Sequence, residues 1–374
     1  MSEMQELIIE TVEKIMGKYS TKEVINDAEM GIWANDLWHQ IVENGMLTIA
    51  IPEELGGNGG DFSDACSILR LAGKYSAPIP LAETYIANWL LADLGEPISD
   101  EVLTIASPDE SEPFIFTKEG QGWRVNGKGL YVPWARYSNK MLVIGDSSEG
   151  PILSVLPLER AIISHGQNMA GEARDEVVFE DVLLENSKII HISSDEIIER
   201  LENFGSITRS VMMAGALENV LTIVVQHTSE RTQFGRPLHR FQAVQHQIAQ
   251  LASESAAASM AADCAVQSFG NSTDQKEIAL AKIRINEAAG KGAPIAHQVL
   301  AAIGFTYEHT LHHSTRRLWS WREDYGNETV WEAKLTNKLL ELEKDELWAF
   351  ITGVTSEGEN PRNYSISSKN LSTN

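Results

Sequence analysis

Between Arg231 and Leu251 the chain reads RTQFGRPLHRFQAVQHQIAQL, a basic turn broken by Gly235 and Pro237 that runs straight into an amphipathic helix rich in side-chain amides. Gly235 and Pro237 let the backbone turn within a few residues. Arg231 carries a planar fork that matches phosphate oxygens. Phe241 and Gln242 open the helix with an apolar plate and an amide, and its first turn offers unpaired N–H groups. These parts together fit a segment that holds a dinucleotide phosphate. Arg231, Arg236, His239 and Arg240 are also a local basic cluster in a chain of formal charge −23. That acidic excess disfavours nucleic acid and anionic membrane as partners, and an acidic protein that takes an anionic coenzyme needs such a cluster.

A length of 374 residues allows two or three domains with ample core. Cys66 and Cys264 are the two cysteines, far apart and without metal spacing, which fits a reducing cytoplasm. Residues 1–19 contain ELIIETVEKIM, amphipathic and acidic, and read as a first helix instead of an export signal. No apolar run reads as long enough to span a bilayer. Residues 1–105 form an N-terminal all-α domain by this reading, with Ile8, Val12 and Ile15 at helical spacing and the pattern returning in 67–74 and 84–94. Residues 106–195 change to short runs (114–117, 123–125, 130–132, 140–144, 152–156 and 176–182) separated by GQG, NGK and SSEGP, the pattern of a small β-domain. Long Ala-rich helices fill 196–355, and the polar stretch 356–374 reads as a disordered tail. The expected class is therefore α+β multidomain, in the order helical, β, helical.

Five segments in this order resemble the acyl-CoA dehydrogenases. The pattern R-x-x-F-G-x-P-x-x-x-F-Q-A-V-Q-H-x-x-A from Arg231 is similar to that family's most diagnostic segment. GMLTIAIPEELGGNGG (Gly45–Gly60) resembles its N-terminal loop, WRVNGKGLYVPWA (Trp123–Ala135) its flavin-domain strand pair and EVVFEDVLL (Glu176–Leu184) its closing strand. HQVLAAIGFTYEH (His297–His309) resembles its second dinucleotide segment. The resemblance implies a middle β-barrel or sandwich, a C-terminal four-helix bundle, FAD as cofactor and α,β-dehydrogenation of an acyl-CoA thioester. In that reaction a carboxylate takes the α-proton while hydride leaves the β-carbon for the flavin. An electron-transferring flavoprotein is the implied electron acceptor.

Carried over residue by residue, the resemblance divides the chain's parts into two groups. The residues that reach across to a neighbour's FAD map to Arg231, Phe234, Leu238, Phe241, Gln242 and Gln298, with Ala301 and Ala302 in place of two glycines. On the flavin's own side the family's Trp-x-Thr becomes Tyr131-Val132-Pro133, which lacks the hydroxyl, and the Gly- and Ser-rich donor loop becomes IASPDESEPF. The two places where the family carries its glutamate base fall on Tyr325 and Gly205. Asp324, Glu323 and Glu328 flank the first place and Glu202 lies near the second, with Asp324 and then Glu323 the best candidates for a displaced base. Three readings stay open: a subunit of a heteromeric dehydrogenase that lends its ADP clamp to a partner's FAD, a homo-oligomer with a displaced base, and a scaffold without redox chemistry. Glu308 and His312 stand four apart, a spacing that can bind metal, yet no metal is expected.

Overall fold

The computed structural model describes residues 3–108, 112–269, 276–343 and 346–352, so the expected tail at 356–374 lies outside the described residues. Five helices come first: α1 (Glu3–Tyr19), α2 (Lys22–Glu29), α3 (Asn35–Glu43), α4 (Phe62–Lys74) and α5 (Leu81–Asp93). A capping box starts α4, in which the side chains of Asp61 and Asp64 each accept the other's backbone N–H. In α5 the residues from Leu81 to Leu91 are buried all round, Glu83 among them.

Eight strands follow: β1 (Leu103–Ile105), β2 (Phe114–Glu119), β3 (Gly122–Pro133), β4 (Lys140–Ser147), β5 (Ile152–Pro157), β6 (Ile162–Ser164), β7 (Arg174–Glu185) and β8 (Ile190–His191). Their order in the sheet is β6-β7-β3-β2-β4-β5-β8, with β1 paired in parallel to β4. The runs 123–125 and 130–132, expected as separate strands around an NGK turn, are one strand of 12 residues. Pairing with β7 holds it together, and register shifts between Val125 and Gly127 and between Gly129 and Val132 absorb the irregular sequence as bulges. Gly127 is required there, since a Cβ would lie 2.8 Å from Phe114 Cα. Phe116, Trp123, Val125, Met141 and Phe179 fill the core of this sheet.

The C-terminal part begins with α6 (Ser194–Glu230), continues through the hairpin β9 (Thr232–Gln233) and β10 (Arg236–Pro237), and ends in α7 (Gln242–Ser268), α8 (Lys276–Leu300), α9 (Leu311–Trp321), α10 (Glu328–Glu341) and α11 (Leu347–Thr352). Helices α6, α7, α8 and α10 pack into the bundle, and α6 also packs on α4 and α5. By length and composition α6 is apolar enough to cross a membrane, contrary to the expectation that no apolar run is. Its apolar window is 72% buried inside the fold, so the burial of a central helix accounts for that composition.

Two glycines let α4 and α6 touch backbone to backbone. A Cβ on Gly73 would lie 1.9 Å from Met212 O, and one on Gly215 would lie 1.9 Å from Arg70 O. Arg70 then spans the crossing, with Nη2 2.5 Å from Glu218 Oε1 on α6 and Nη1 2.7 Å from Asp263 Oδ1 on α7. Neither backbone can retreat without opening the core between them. Gly73→Ala and Gly215→Ala should each destabilise the protein by about 3 kcal/mol, read as a lowered urea midpoint, and both substitutions together should leave the chain insoluble.

Candidate functional site

The hairpin β9–β10 turns through Phe234 at φ 51 and Gly235 at φ 80. Two successive positive φ values match the right-handed twist of a two-residue hairpin, but they suit glycine or asparagine at the first position, not an aromatic. Phe234 is nevertheless held there with its ring 92% exposed. The hairpin is fixed from behind: Leu238 N–H donates to Arg231 O at 2.9 Å, and His239 Nδ1 lies 3.2 Å from Thr228 O at the end of α6. The Arg236 guanidinium sits 4.1 Å above the Phe241 ring. Arg231 and Gln242 face solvent, while Leu238 and Phe241 are half-buried.

At the end of α8, Gln298, Ala301 and Ala302 are exposed. Ala301 has φ 53, a left-handed conformation that glycine adopts freely and alanine does not. The two segments belong to one end of the bundle, because His227 in the last turn of α6 meets His309, just beyond the 301–305 turn, with ring centroids 6.4 Å apart. Of the residues expected to clamp an ADP group, Arg231, Phe234, Gln242, Gln298, Ala301 and Ala302 are thus presented to solvent from neighbouring supports.

The strand that should face a flavin ring is differently equipped. Tyr131 is 78% exposed and sits at φ 53 within the second bulge of β3. Pro133 has no N–H, and its carbonyl accepts a short hydrogen bond from Thr104 Oγ1. Trp134 is 5% exposed and packs near Tyr137, so its face is committed to the interior. Of the donor loop, residues 109–111 lie outside the described residues.

Tyr325 and Gly205 prove to be neighbours. A Cβ on Gly205 would lie 2.1 Å from Tyr325 Cδ1, so the tyrosine ring takes up the space that any side chain at 205 requires. Beside them runs a buried chain of charges. Arg209 on α6, 2% exposed, donates through Nη2 to Glu83 Oε1 at 2.5 Å and through Nε to Asp324 Oδ2 at 2.9 Å. Arg174 at the start of β7 donates to the same Asp324 oxygen at 2.9 Å and lies 3.6 Å from Glu172. The Arg209 guanidinium also faces the Tyr325 ring, 5.7 Å from its centroid.

Asp324 is therefore placed as an ion-pair partner. Burial alone would push its carboxyl up, but Arg174 and Arg209 outweigh burial and hold it below the usual carboxylate range. A general base needs the opposite shift, toward the pH at which it works. Lys282, fully buried, donates to Trp321 O at 2.9 Å, and burial pushes its ammonium down to about 7. Glu323 is exposed and accepts from Asn327 Nδ2 at 3.1 Å. Glu328 is paired with Arg322, and Glu202 with Lys334 at 2.5 Å. Glu308 precedes α9 instead of lying on it with His312. Sequence reading missed Glu83, Arg174, Arg209 and Lys282. The available signal was a charged residue inside an apolar helical run, as in IANWLLA after Glu83 or SVMMAGAL after Arg209, because such a charge must find a partner.

Residues 2–99 match the acyl-CoA dehydrogenase N-terminal domain and residues 197–327 the acyl-CoA dehydrogenase C-terminal domain. The chain belongs to the acyl-CoA dehydrogenase family. It is 25% identical over 320 residues to the acyl-CoA dehydrogenase IpdE2 of Mycolicibacterium smegmatis, covering 83% of this chain and 91% of that one. Its fold is similar to a chain of the ChsE4-ChsE5 complex from Mycobacterium tuberculosis, with TM-score 0.84 at 19% identity over 92% of this chain and 99% of that one. It is also similar to butyryl-CoA dehydrogenase from Megasphaera elsdenii, with TM-score 0.83 at 18% identity over 91% and 99%. This acyl-CoA dehydrogenase is accordingly an oxidoreductase of acyl-CoA thioesters with FAD as its cofactor. The residues present fit that cofactor unequally: the exposed hairpin and α8 end suit its ADP portion, whereas Pro133 offers the ring neither a hydroxyl nor an N–H.

Three outcomes follow for this site. Arg209→Ala leaves Glu83 and Asp324 without their shared cation and should cost about 3–5 kcal/mol. Asp324 has a folded pKa below its ordinary 3.8, so its contribution is complete above that pH and is lost as pH falls through and below it. Acid unfolding monitored by circular dichroism should therefore be shallower below pH 3.8 in Asp324→Asn, which should also be less stable than wild type at pH 7. Ala301→Gly relieves a left-handed alanine and should raise the thermal midpoint by about 2 °C, checked by calorimetry.

Proposed function

We propose that this chain is the clamp-bearing half of a heteromeric acyl-CoA dehydrogenase and does not itself remove the α-proton. The carrying observation is that both places for a base are filled without one: the Tyr325 ring occupies the space at Gly205, and the adjacent Asp324 is locked between Arg174 and Arg209. Neutral Tyr325 is a poor base as well, because burial raises the pKa of its hydroxyl. An acyl chain entering here would have to displace a buried Glu83–Arg209 pair, a change that costs several kcal/mol.

FAD, when bound, supplies the hydride acceptor. Arg231 gives the pyrophosphate a bidentate partner, Phe234 offers an exposed ring, and Gln242 and Gln298 supply amides to a flavin seated mainly in a homologous neighbour. Ala301 and Ala302 put methyl groups where the family has glycine and so crowd the approach of the α8 end to that ligand. The likeness to a chain from a named two-component complex supports assembly with an unlike partner. Acyl-CoA binds in the neighbour's cavity by this reading, and the electrons pass on to an electron-transferring flavoprotein.

The test is to purify the chain alone and with a homologous subunit, then compare flavin content and native mass. Alone it should be colourless. With the partner it should give one FAD for every two chains, and Arg231→Ala in this chain should release that FAD while the complex stays assembled. A yellow single chain that an acyl-CoA bleaches would overturn the proposal, and a Glu323→Gln variant of that chain would then show whether Glu323 is the base.

A further inference from the structure

We propose that His309 is a positioning residue of the cofactor clamp: its neutral ring ties the turn beyond α8 to the root of the hairpin, and a proton on that ring loosens the tie. The inference deepens the clamp reading and rests on it. His309 Nδ1 accepts the Leu311 backbone N–H at 3.0 Å, so the ring proton belongs on Nε2. Leu311 opens α9, whose first N–H groups have no partner within the helix. Thr310, just before α9, makes no side-chain capping bond, and the histidine nitrogen takes that part. Two turn bonds then lead back to the α8 end: His309 N–H donates to Thr306 O at 3.3 Å, and Thr306 N–H to Ile303 O at 3.2 Å. The strained Ala301 begins that turn.

On its other side the His309 ring meets that of His227 edge-on, with 6.4 Å between centroids and 84° between planes. His227 lies in the last turn of α6, and its carbonyl accepts the Arg231 N–H at 2.9 Å, where the hairpin begins. Both rings are half-buried. They bridge the root of one clamp segment and the turn that follows the other.

The surroundings of this joint disfavour a proton. Burial lowers the pKa of His309 from its ordinary 6.5, and His227 and Lys22 of α2 lower it further. Lys22 is fixed there, since its Nζ donates to Glu308 O at 2.8 Å, while Glu308 itself is exposed. Burial and Arg231 lower the pKa of His227 as well, against Glu230, the carboxylate that faces it. The contribution of the neutral rings is therefore complete above pH 6.5 and is lost as pH falls below it. A proton on His309 Nδ1 sets two N–H donors against each other at Leu311 and gathers cations at one end of the bundle.

FAD release from the assembled complex, followed by flavin fluorescence at about pH 7.5 and about pH 5, tests the joint. Wild type should release FAD about tenfold faster at the lower pH, the effect of one buried donor left unpaired. His309→Asn places an amide oxygen where Nδ1 lies, accepts the same N–H two residues on and takes no proton, so its release should stay slow at both values. His309→Ala should release fast at both. Hydrogen exchange of the full chain, in the assembly in which it purifies and corrected for the intrinsic rate, reads the joint without flavin. Segment 306–311 should lose protection on acidification in wild type and keep it in His309→Asn. That exchange pattern together with FAD retained by Arg231→Ala would fault the clamp reading but not the joint. The proposal falls if wild type and His309→Asn lose protection alike on acidification, or if His309→Asn releases FAD as fast as wild type at the lower pH.

Discussion

The guanidinium of Arg209 is the hinge of this structure. It is 2% exposed, and nothing in the bundle could tolerate it without Glu83 from α5 on one side and Asp324 from the loop after α9 on the other. A charge taken out of water costs several kcal/mol even after relaxation, and attraction recovers that only when the remaining donors are also satisfied. Arg174 and Glu172 extend the chain into the β-domain, and Trp321 Nε1 donates to Glu172 Oε2 at 3.0 Å. Arg317, 1% exposed, lies 3.4 Å from Glu172 and 3.9 Å from Glu29 on α2. One connected set of charges therefore joins the N-terminal helices, the sheet and the C-terminal bundle at the place where the family resemblance expects a base.

That arrangement depends on where α6 sits. The contact at Gly73 and Gly215 draws its backbone against α4, which fixes how far Arg209 can reach toward α5. Nearer the start of α6, the Tyr325 ring leaves no room for a side chain at Gly205. Packing and electrostatics here act in one direction: both exclude a second carboxylate from the cleft, and both stabilise the interior that replaces it. Stability gained in this way is incompatible with a cavity for an acyl chain at the same spot.

The order of helical, β and helical parts was legible because hydrophobic period changes sharply near residues 106 and 195, and because the diagnostic segments follow one another in a fixed order. The continuity of β3 was not, since NGK reads locally as a turn and only pairing with β7 reveals it as a bulge. Asp324 shows the limit at the site itself. Its neighbourhood in sequence, WREDYGNE, looks like a solvated acidic loop or a displaced base, yet its partners Arg174 and Arg209 stand 150 and 115 residues away. Only folding brings those charges together, so sequence could nominate the residue without its electrostatic setting.

Backbone strain marks both halves of the site, but it is offset differently at the surface and in the interior. Among the described residues, non-glycine residues with positive φ include Phe234, Ala301, Tyr131 and Tyr325, each at a position that the family resemblance had singled out. Such conformations cost of order 1–3 kcal/mol and persist where surroundings over-determine them. At Phe234, Ala301 and Tyr131 the strained residue faces solvent, Phe234 with only an edge contact to the Phe241 ring, 6.3 Å between centroids. At Tyr325 the ring gains the contact with Gly205 and faces Arg209, so the chain itself offsets the strain. A cost that internal contacts offset needs no ligand to explain it. A cost left at the surface, as at the hairpin tip, the α8 end and Tyr131, is the kind that a ligand or a neighbouring chain can offset.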